Sequence, residues 1–145
     1  MNFKIRELQL LDLFRIRELS EVYLNAFGSP TYSISRFRIL YYLIQKRNNF
    51  FIIAEIKKKI VGVAYAHTYP MNDLVYLDFI AVKKSYQRKG IGSALLKVIL
   101  KKAIDAKKKK IFFIIRSDNE NGIRFYQKHG FMKEKEYYGY SLNLC

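Results

Sequence analysis

With 145 residues, half of them apolar, the chain has material for one domain with a two- or three-layer core, and no second domain is needed. Lysine and arginine outnumber aspartate and glutamate 27 to 12, a net charge of +15 that points to an anionic partner or to a lysine-rich solvated surface. The single cysteine, Cys145, excludes a disulfide or a cysteine metal cluster within this sequence, and the two histidines, His67 and His129, leave little for zinc, so no metal is expected.

The first twenty residues, MNFKIRELQLLDLFRIRELS, interleave charged and apolar side chains. They lack the apolar stretch of a signal peptide, and no run approaches membrane-spanning length, so a soluble, cytoplasmic protein with no membrane partner is expected. Phe3, Ile5 and Leu8 suggest a short first strand. From Asp12 to about Phe27, Leu13, Ile16, Leu19, Val22, Tyr23 and Ala26 recur on one helical face. Gly28-Ser29-Pro30 ends that helix, and Ser33 or Ser35 caps a second one carrying Phe37, Leu40, Tyr41 and Ile44. Two strands, Phe50 to Ile56 and Ile60 to Tyr69, are joined by Lys57-Lys58-Lys59 and read as a hairpin. Pro70 to Asp73 forms the next turn.

A fourth strand, Leu74 to Val82, feeds Gln87-Arg88-Lys89-Gly90-Ile91-Gly92-Ser93. A helix from about Gly92 follows, with Leu95, Leu96, Ile99, Leu100, Ala103 and Ile104 as its apolar stripe. Such a turn suits an anion, because the first helical N–H groups have no intrahelical partner and the glycines permit close approach. After the Lys107 to Lys110 run, the uninterrupted apolar stretch Ile111 to Ile115 predicts a central strand covered on both faces. A helix from Asn119 to Lys128 then ends at His129-Gly130, glycine suiting a left-handed cap, and Phe131 onward supplies a last hairpin.

Gln87, Gly90 and Gly92 stand where motif A of the GNAT N-acetyltransferase superfamily has its Gln/Arg-x-x-Gly-x-Gly/Ala pattern after a strand. Asn119, Tyr126, Gly130 and Phe131 keep the spacing of seven, four and one found in motif B. The chain therefore resembles that superfamily, most closely its ribosomal-protein and protein N-terminal acetyltransferase-like members, through Tyr86-Gln87-Arg88 and Gly90-Ile91-Gly92. The resemblance implies an α/β (α+β) fold in the order β-α-α-β-β-β-α-β-α-β-β, a mixed, mostly antiparallel sheet of about seven strands flanked by four helices. It implies a single N-acetyltransferase domain over 1–145, although only Val75 to Phe131 carries the specific motifs.

What the resemblance implies chemically is an acetyl-CoA-dependent transfer to a primary amine by direct attack, with no covalent enzyme intermediate. Backbone groups of Gln87, Arg88, Lys89, Gly90, Ile91, Gly92 and Ser93 would bind the pyrophosphate, with Arg88 and Lys89 adding charge. Ile80, Ala81 and Val82 would present main-chain groups to the pantetheine arm, and Asn119 would contact that arm or serve as helix cap. Tyr126 matches the tyrosine that protonates the leaving thiolate, and an ordinary phenol pKa of ~10 suits that task. The glutamate that N-terminal acetyltransferases place five residues before the motif B asparagine is here Ile114. Asp78, in Tyr76-Leu77-Asp78, corresponds instead to a glutamate of polyamine acetyltransferase-like members and is the candidate base, with His67 a weaker one.

The leading acceptor is a protein or peptide α-amine, since at pH 7 a group with pKa ~8 is neutral about one time in ten and a lysine near ~10.4 far more rarely. A small amine or polyamine is the alternative. The family's acceptor groove implies residues 26–35 and 136–140, where Tyr32, Tyr137, Tyr138 and Tyr140 could line it. From another class, a non-enzymatic basic module touching RNA or ribosomes fits the charge and the twelve tyrosines, but no RNA motif accompanies them, and nucleic-acid contact is not favoured. A nucleotide enzyme is weaker still, for the loop lacks a GKS/T ending and Leu95 stands where a third glycine would be. A monomer or homodimer is expected.

Overall fold

Residues 2–28 and 35–135 are described in the computed structural model, and they form two compact units divided after Phe113. In the first unit the chain runs β1 (Lys4–Glu7), a 3-10 stretch (Leu10–Arg15), α1 (Ile16–Phe27), α2 (Arg36–Ile44), β2 (Asn49–Ile56), β3 (Lys59–Thr68), β4 (Leu74–Val82), a 3-10 turn (Lys84–Tyr86), α3 (Ile91–Asp105) and β5 (Lys110–Phe112). The sheet order is β1-β2-β3-β4-β5; the first three pairings are antiparallel, and β4–β5 is parallel with α3 in the crossover. Among the described residues the sheet thus has five strands where about seven were expected. The two further strands were placed after Phe131; residues 131–135 are not strand, and 136–145 lie outside the described residues. So do Ser33, Tyr32, Tyr137, Tyr138 and Tyr140.

Burial follows from the layers. β3 is buried at every position from Ile60 to Ala66, because helices cover both of its faces. On one face Val63 and Tyr65, with Phe51, Ile53 and Phe79, meet Leu19 and Val22 of α1 and Ile39 and Tyr42 of α2. The rings interlock: Tyr42 lies 4.5 Å from Tyr65, and Tyr23 meets Phe79 edge-on at 5.3 Å. Alternation turns Gly62 and Ala64 to the other face, where Ile91, Leu95, Leu96 and Ile99 of α3 are fully buried. Each such side chain contributes about 1.5–3 kcal/mol of apolar burial.

The α2 residues named from the sequence, Phe37, Leu40, Tyr41 and Ile44, lie away from the core. Phe37 is 84% and Ile44 79% exposed, and the buried face is Ile39 and Tyr42 with Leu43 beside them. Among the described residues the strand after the lysine run is β5, with Lys110 exposed and Ile111 and Phe112 half-buried, and its ladder with β4 ends at Tyr76–Phe112.

The hairpin between β2 and β3 closes through Lys57 and Lys58, both at positive φ (48° and 64°), a left-handed pair that lysines adopt only at some cost. A buried charge network offsets it. Arg6 donates to both oxygens of Asp12 (2.7 and 2.8 Å) and of Glu55 (2.8 and 3.0 Å). Arg15 bridges Glu55 and Glu18, and its Nη2 also donates to the Lys58 carbonyl at 2.6 Å. Asp12 is 1% exposed and further accepts from the Gln9 N–H at 2.8 Å. The hydrogen bonds from Arg6, then those from Arg15, hold Glu55 down at about 2 against the opposing effect of burial.

The second unit, within its described residues 114–135, carries α4 (Glu120–Lys128). Asn119 is its N-cap, accepting from the Gly122 N–H at 3.0 Å.

Candidate functional site

The segment β4–turn–α3 is built around an interruption in the sheet. Across β3 and β4, Ala66 faces Leu77 while Tyr65 faces Phe79, so Asp78 is the extra residue of a β-bulge. On its other side β4 is laddered with β5 only from Leu74 to Tyr76, and Ile80, Ala81 and Val82 lie past the end of that ladder. Their partners on the β3 side are Ala64, Val63 and Gly62.

Beyond β4 the chain is held at both ends. The Lys84 N–H donates to Asn25 Oδ1 of α1 at 2.7 Å, and Gln87 Nε2 donates to the Val82 carbonyl at 3.0 Å. The Gln87 side chain is thereby committed to the strand end and its main-chain N–H donates to the Lys84 carbonyl at 3.2 Å, so, against the expectation for Gln87, the N–H groups open to a ligand begin at Arg88. Arg88 (φ 58°) and Gly90 (φ 82°) are both left-handed, and a Cβ at Gly90 would meet nothing within 4 Å, so glycine is required there by conformation and not by space. Lys89 folds back, its Nζ donating to the Ser85 carbonyl at 2.8 Å beneath the Tyr86 ring. The first backbone bond of α3 is Ala94 N–H to Gly90 O at 3.0 Å. Among the described residues no acceptor is recorded for the N–H groups of the six preceding residues, Arg88 to Ser93. Ile91 is 1% exposed and anchors this turn on the sheet, while Gly92 and Ser93 are half-buried. These six N–H groups lie at and just before the start of a fifteen-residue helix, the kind of arrangement that suits an anion.

Asp78, the candidate base, is joined to His67, the weaker candidate. Its Oδ2 lies 2.7 Å from Nδ1 of His67 on β3, each side chain about a quarter exposed. The His67 ring is stacked on Tyr76 (5.3 Å, 13°) and on Tyr65 (6.1 Å, 24°) and meets Tyr69 edge-on at 5.2 Å. The signal for this pairing was present in the turn: with Thr68 opposite Val75, His67 faces Tyr76 and Asp78 is its diagonal neighbour on the same face.

In the second unit, Asn119 and Tyr126 occupy the two ends of α4. Gly130 (φ 85°) follows the C-cap; its N–H donates to the Gln127 carbonyl at 3.0 Å, and the Phe131 N–H donates to that of Tyr126 at 3.1 Å. This is a Schellman cap, and the Phe131 ring packs 5.5 Å from Tyr126 as such caps favour. Tyr126 is half-buried, and burial pushes its phenol up to about 12. The expectation of an ordinary phenol near ~10 is therefore corrected: removal of water from the ring oxygen penalises the phenolate.

The family model described as "Acetyltransferase (GNAT) family" matches residues 13–131. Among curated proteins, the chain is 26% identical over 142 residues to N-alpha-acetyltransferase 30 of Xenopus laevis, covering 94% of this chain and 48% of that protein. It is 38% identical over 61 residues to a probable spermine N(1)-acetyltransferase of Bacillus subtilis subsp. natto, covering 41% of this chain and 40% of that one. The chain thus spans about half or less of the length of these relatives. Among solved structures, PaiA N-acetyltransferase of Thermoplasma acidophilum in complex with coenzyme A superposes with a TM-score of 0.79 at 22% identity, over 92% of each chain.

Proposed function

The chain belongs to the GNAT acetyltransferase family, and from that premise we propose that it is a cytoplasmic, single-domain N-acetyltransferase that moves the acetyl group of acetyl-CoA to a primary amine. The family match runs across most of both units, which supports reading 1–145 as one functional domain. No helix among the described residues is long and apolar enough to cross a membrane.

The observation that carries this reading is the row of N–H donors from Arg88 to Ser93 at the start of α3. They suit the coenzyme pyrophosphate, with the exposed Arg88 adding charge. Ile80, Ala81 and Val82, lying past the β4–β5 ladder, suit an extended pantetheine arm that adds to the strand edge through main-chain hydrogen bonds. Asn119 would contact the coenzyme with the part of its amide not used in capping. Tyr126 would serve the departing thiolate, and Asp78 would serve the acceptor side. The amine must be neutral to attack; a strand amide polarising the thioester carbonyl would stabilise the oxyanion.

The acceptor we favour is a polypeptide α-amine. N-alpha-acetyltransferase 30 is similar over 94% of this chain, whereas the spermine acetyltransferase is similar over 41% of it. Charge agrees: a net +15 repels a polycation approaching from solution and attracts a peptide bearing carboxylates. Isothermal titration with acetyl-CoA tests the core of the reading, and absence of binding by acetyl-CoA and other acyl-CoAs would refute it. Turnover against amino-terminal peptides, lysine peptides, spermine and an aminoglycoside tests the acceptor; acetylation of spermine alone would overturn the α-amine assignment.

A further inference from the structure

Resting on the acetyltransferase reading, we propose that His67 is the general base of the reaction and that Asp78 is its positioning residue. Asp78 was the carboxylate singled out on β4, yet its Oδ2 is engaged 2.7 Å from His67 Nδ1. An ionised carboxylate only accepts, so this contact places the imidazole proton on Nδ1 and leaves the lone pair on Nε2. No hydrogen bond is recorded at Nε2 among the described residues. The ring is further fixed between Tyr65 and Tyr76, with Tyr69 across its edge, so the lone pair has one direction.

The dyad also lies in a suitable place along β4. Gln87 ties the anion-binding turn to the Val82 carbonyl, and an arm running from Val82 back along the strand reaches Asp78 in four residues, ~13 Å at ~3.3 Å each. That is where the bulge interrupts the β3 pairing and the β5 ladder has already ended. As chemical classes, an imidazole near ~6.5 is a far better acceptor of an amine proton at neutral pH than a carboxylate near ~3.9. The two residues divide the work accordingly. The amine nitrogen bonds to the thioester carbonyl carbon and its proton passes to Nε2. The C–S bond then breaks, sulfur leaves with the electron pair and is protonated, and the imidazolium returns its proton to solvent. Asp78 remains ionised throughout and stabilises the imidazolium.

The test compares wild type with His67→Gln, Asp78→Asn and Asp78→Glu, using a peptide with a free α-amine, or spermine where the peptide is not acetylated. The groups recorded against the His67 ring are Asp78, Tyr65, Tyr69 and Tyr76, with Lys108 reaching the Tyr69 carbonyl. His67→Gln should lower kcat by about 10²–10⁴ with acetyl-CoA Kd within about threefold, and should abolish the acid limb of the kcat/KM profile. Asp78→Asn should lower kcat less, again with acetyl-CoA Kd within about threefold, and Asp78→Glu should recover part of the rate. Retention of the limb in His67→Gln, or kcat within threefold of wild type, overturns the proposal while leaving the acetyltransferase reading intact. Failure of wild type to bind acetyl-CoA overturns both. Should His67→Gln not fold, an NMR titration of wild-type His67 that does not track the acid limb refutes the assignment by itself.

Discussion

Gly62 of β3 lies directly against Ile91 and Leu95 of α3, and replacing it with alanine tests whether that close approach matters. A Cβ there would lie 3.1 Å from Ile91 Cγ2, 3.2 Å from Leu95 Cδ1 and 3.4 Å from the Ala54 Cβ. Carbon contacts are comfortable at about 3.5–4.0 Å, so helix or strand must yield by a few tenths of an ångström. Neither neighbour has room to swing away, since Ile91 is 1% and Leu95 0% exposed. Overpacking of this kind costs about 1–3 kcal/mol, and alanine recovers about 0.4–1 kcal/mol by restricting the unfolded chain. The net expectation is a loss of roughly 0.5–2 kcal/mol, a fall in Tm of about 2–8 °C for a chain of this size. Urea and thermal unfolding read it directly. In the double variant Gly62→Ala/Ile91→Ala the added methyl occupies space that Ile91 vacates, so the loss should be smaller than the sum of the single losses by about 0.5 kcal/mol or more. Because Ile91 opens α3, acetyl-CoA affinity should weaken in Gly62→Ala and recover in part in the double variant with Ile91→Ala, which removes the Cγ2 the new methyl meets. A Gly62→Ala protein more stable than wild type, or a double variant strictly additive, would refute the close-packing argument.

Three further outcomes follow from the same geometry. The Glu55 carboxylate, held down at about 2 from its ordinary 4.5 chiefly by Arg6, contributes stability that is fully present above about 4.5 and lost as pH falls toward about 2. Glu55→Gln should lower stability at pH 7 by roughly 2–3 kcal/mol and flatten the acid limb of the unfolding profile; parallel limbs would argue against the network. Tyr126 is raised to about 12, so the fold holds its proton longer than the unfolded chain, and stability should fall between pH ~10 and about 12 by roughly 2 kcal/mol. Tyr126→Phe should abolish that alkaline limb, with phenolate absorbance titrating late in wild type. Gly90→Ala should cost about 1–2 kcal/mol in unfolding free energy through its φ of 82° alone, and Gly90→Asn less; equal stability of all three would deny the left-handed requirement.

Legibility in the sequence was uneven, for identifiable reasons. The conformation of the glycine turn before α3 was readable because glycine and loop chemistry act locally, and α1 because its apolar residues share one face. In α2 the run Phe37 to Ile44 interrupts its apolar residues only at Arg38, so Phe37, Leu40, Tyr41 and Ile44 and the buried pair Ile39 and Tyr42 both satisfy helical spacing. Only packing against the sheet distinguishes them. For β5 the apolar run marked the strand, whose described ladder with β4 ends at Phe112. The His67–Asp78 pair depended on hairpin register, which the bulge obscures when β3 and β4 are read as separate alternating strands.

The Asn119–Tyr126–Gly130–Phe131 spacing has a physical cause apart from chemistry. Asn119 caps the first turn of α4, Gly130 takes the left-handed position after its last, and Phe131 closes the Schellman motif onto Tyr126. A helix of this length terminated in this way produces intervals of seven, four and one whatever Tyr126 does. The same cap puts Phe131 and Phe125 against the ring, among the apolar surroundings that keep water away and raise the phenol to about 12. Burial that raises the phenol makes complete transfer of its proton to a thiolate less favourable. On the proposed reading Tyr126 therefore serves the thiolate best as a neutral hydrogen-bond donor, the proton finally taken up coming from solvent. The demand on the base is then the greater of the two, and it falls on the half of the chemistry built into the sheet at β3 and β4.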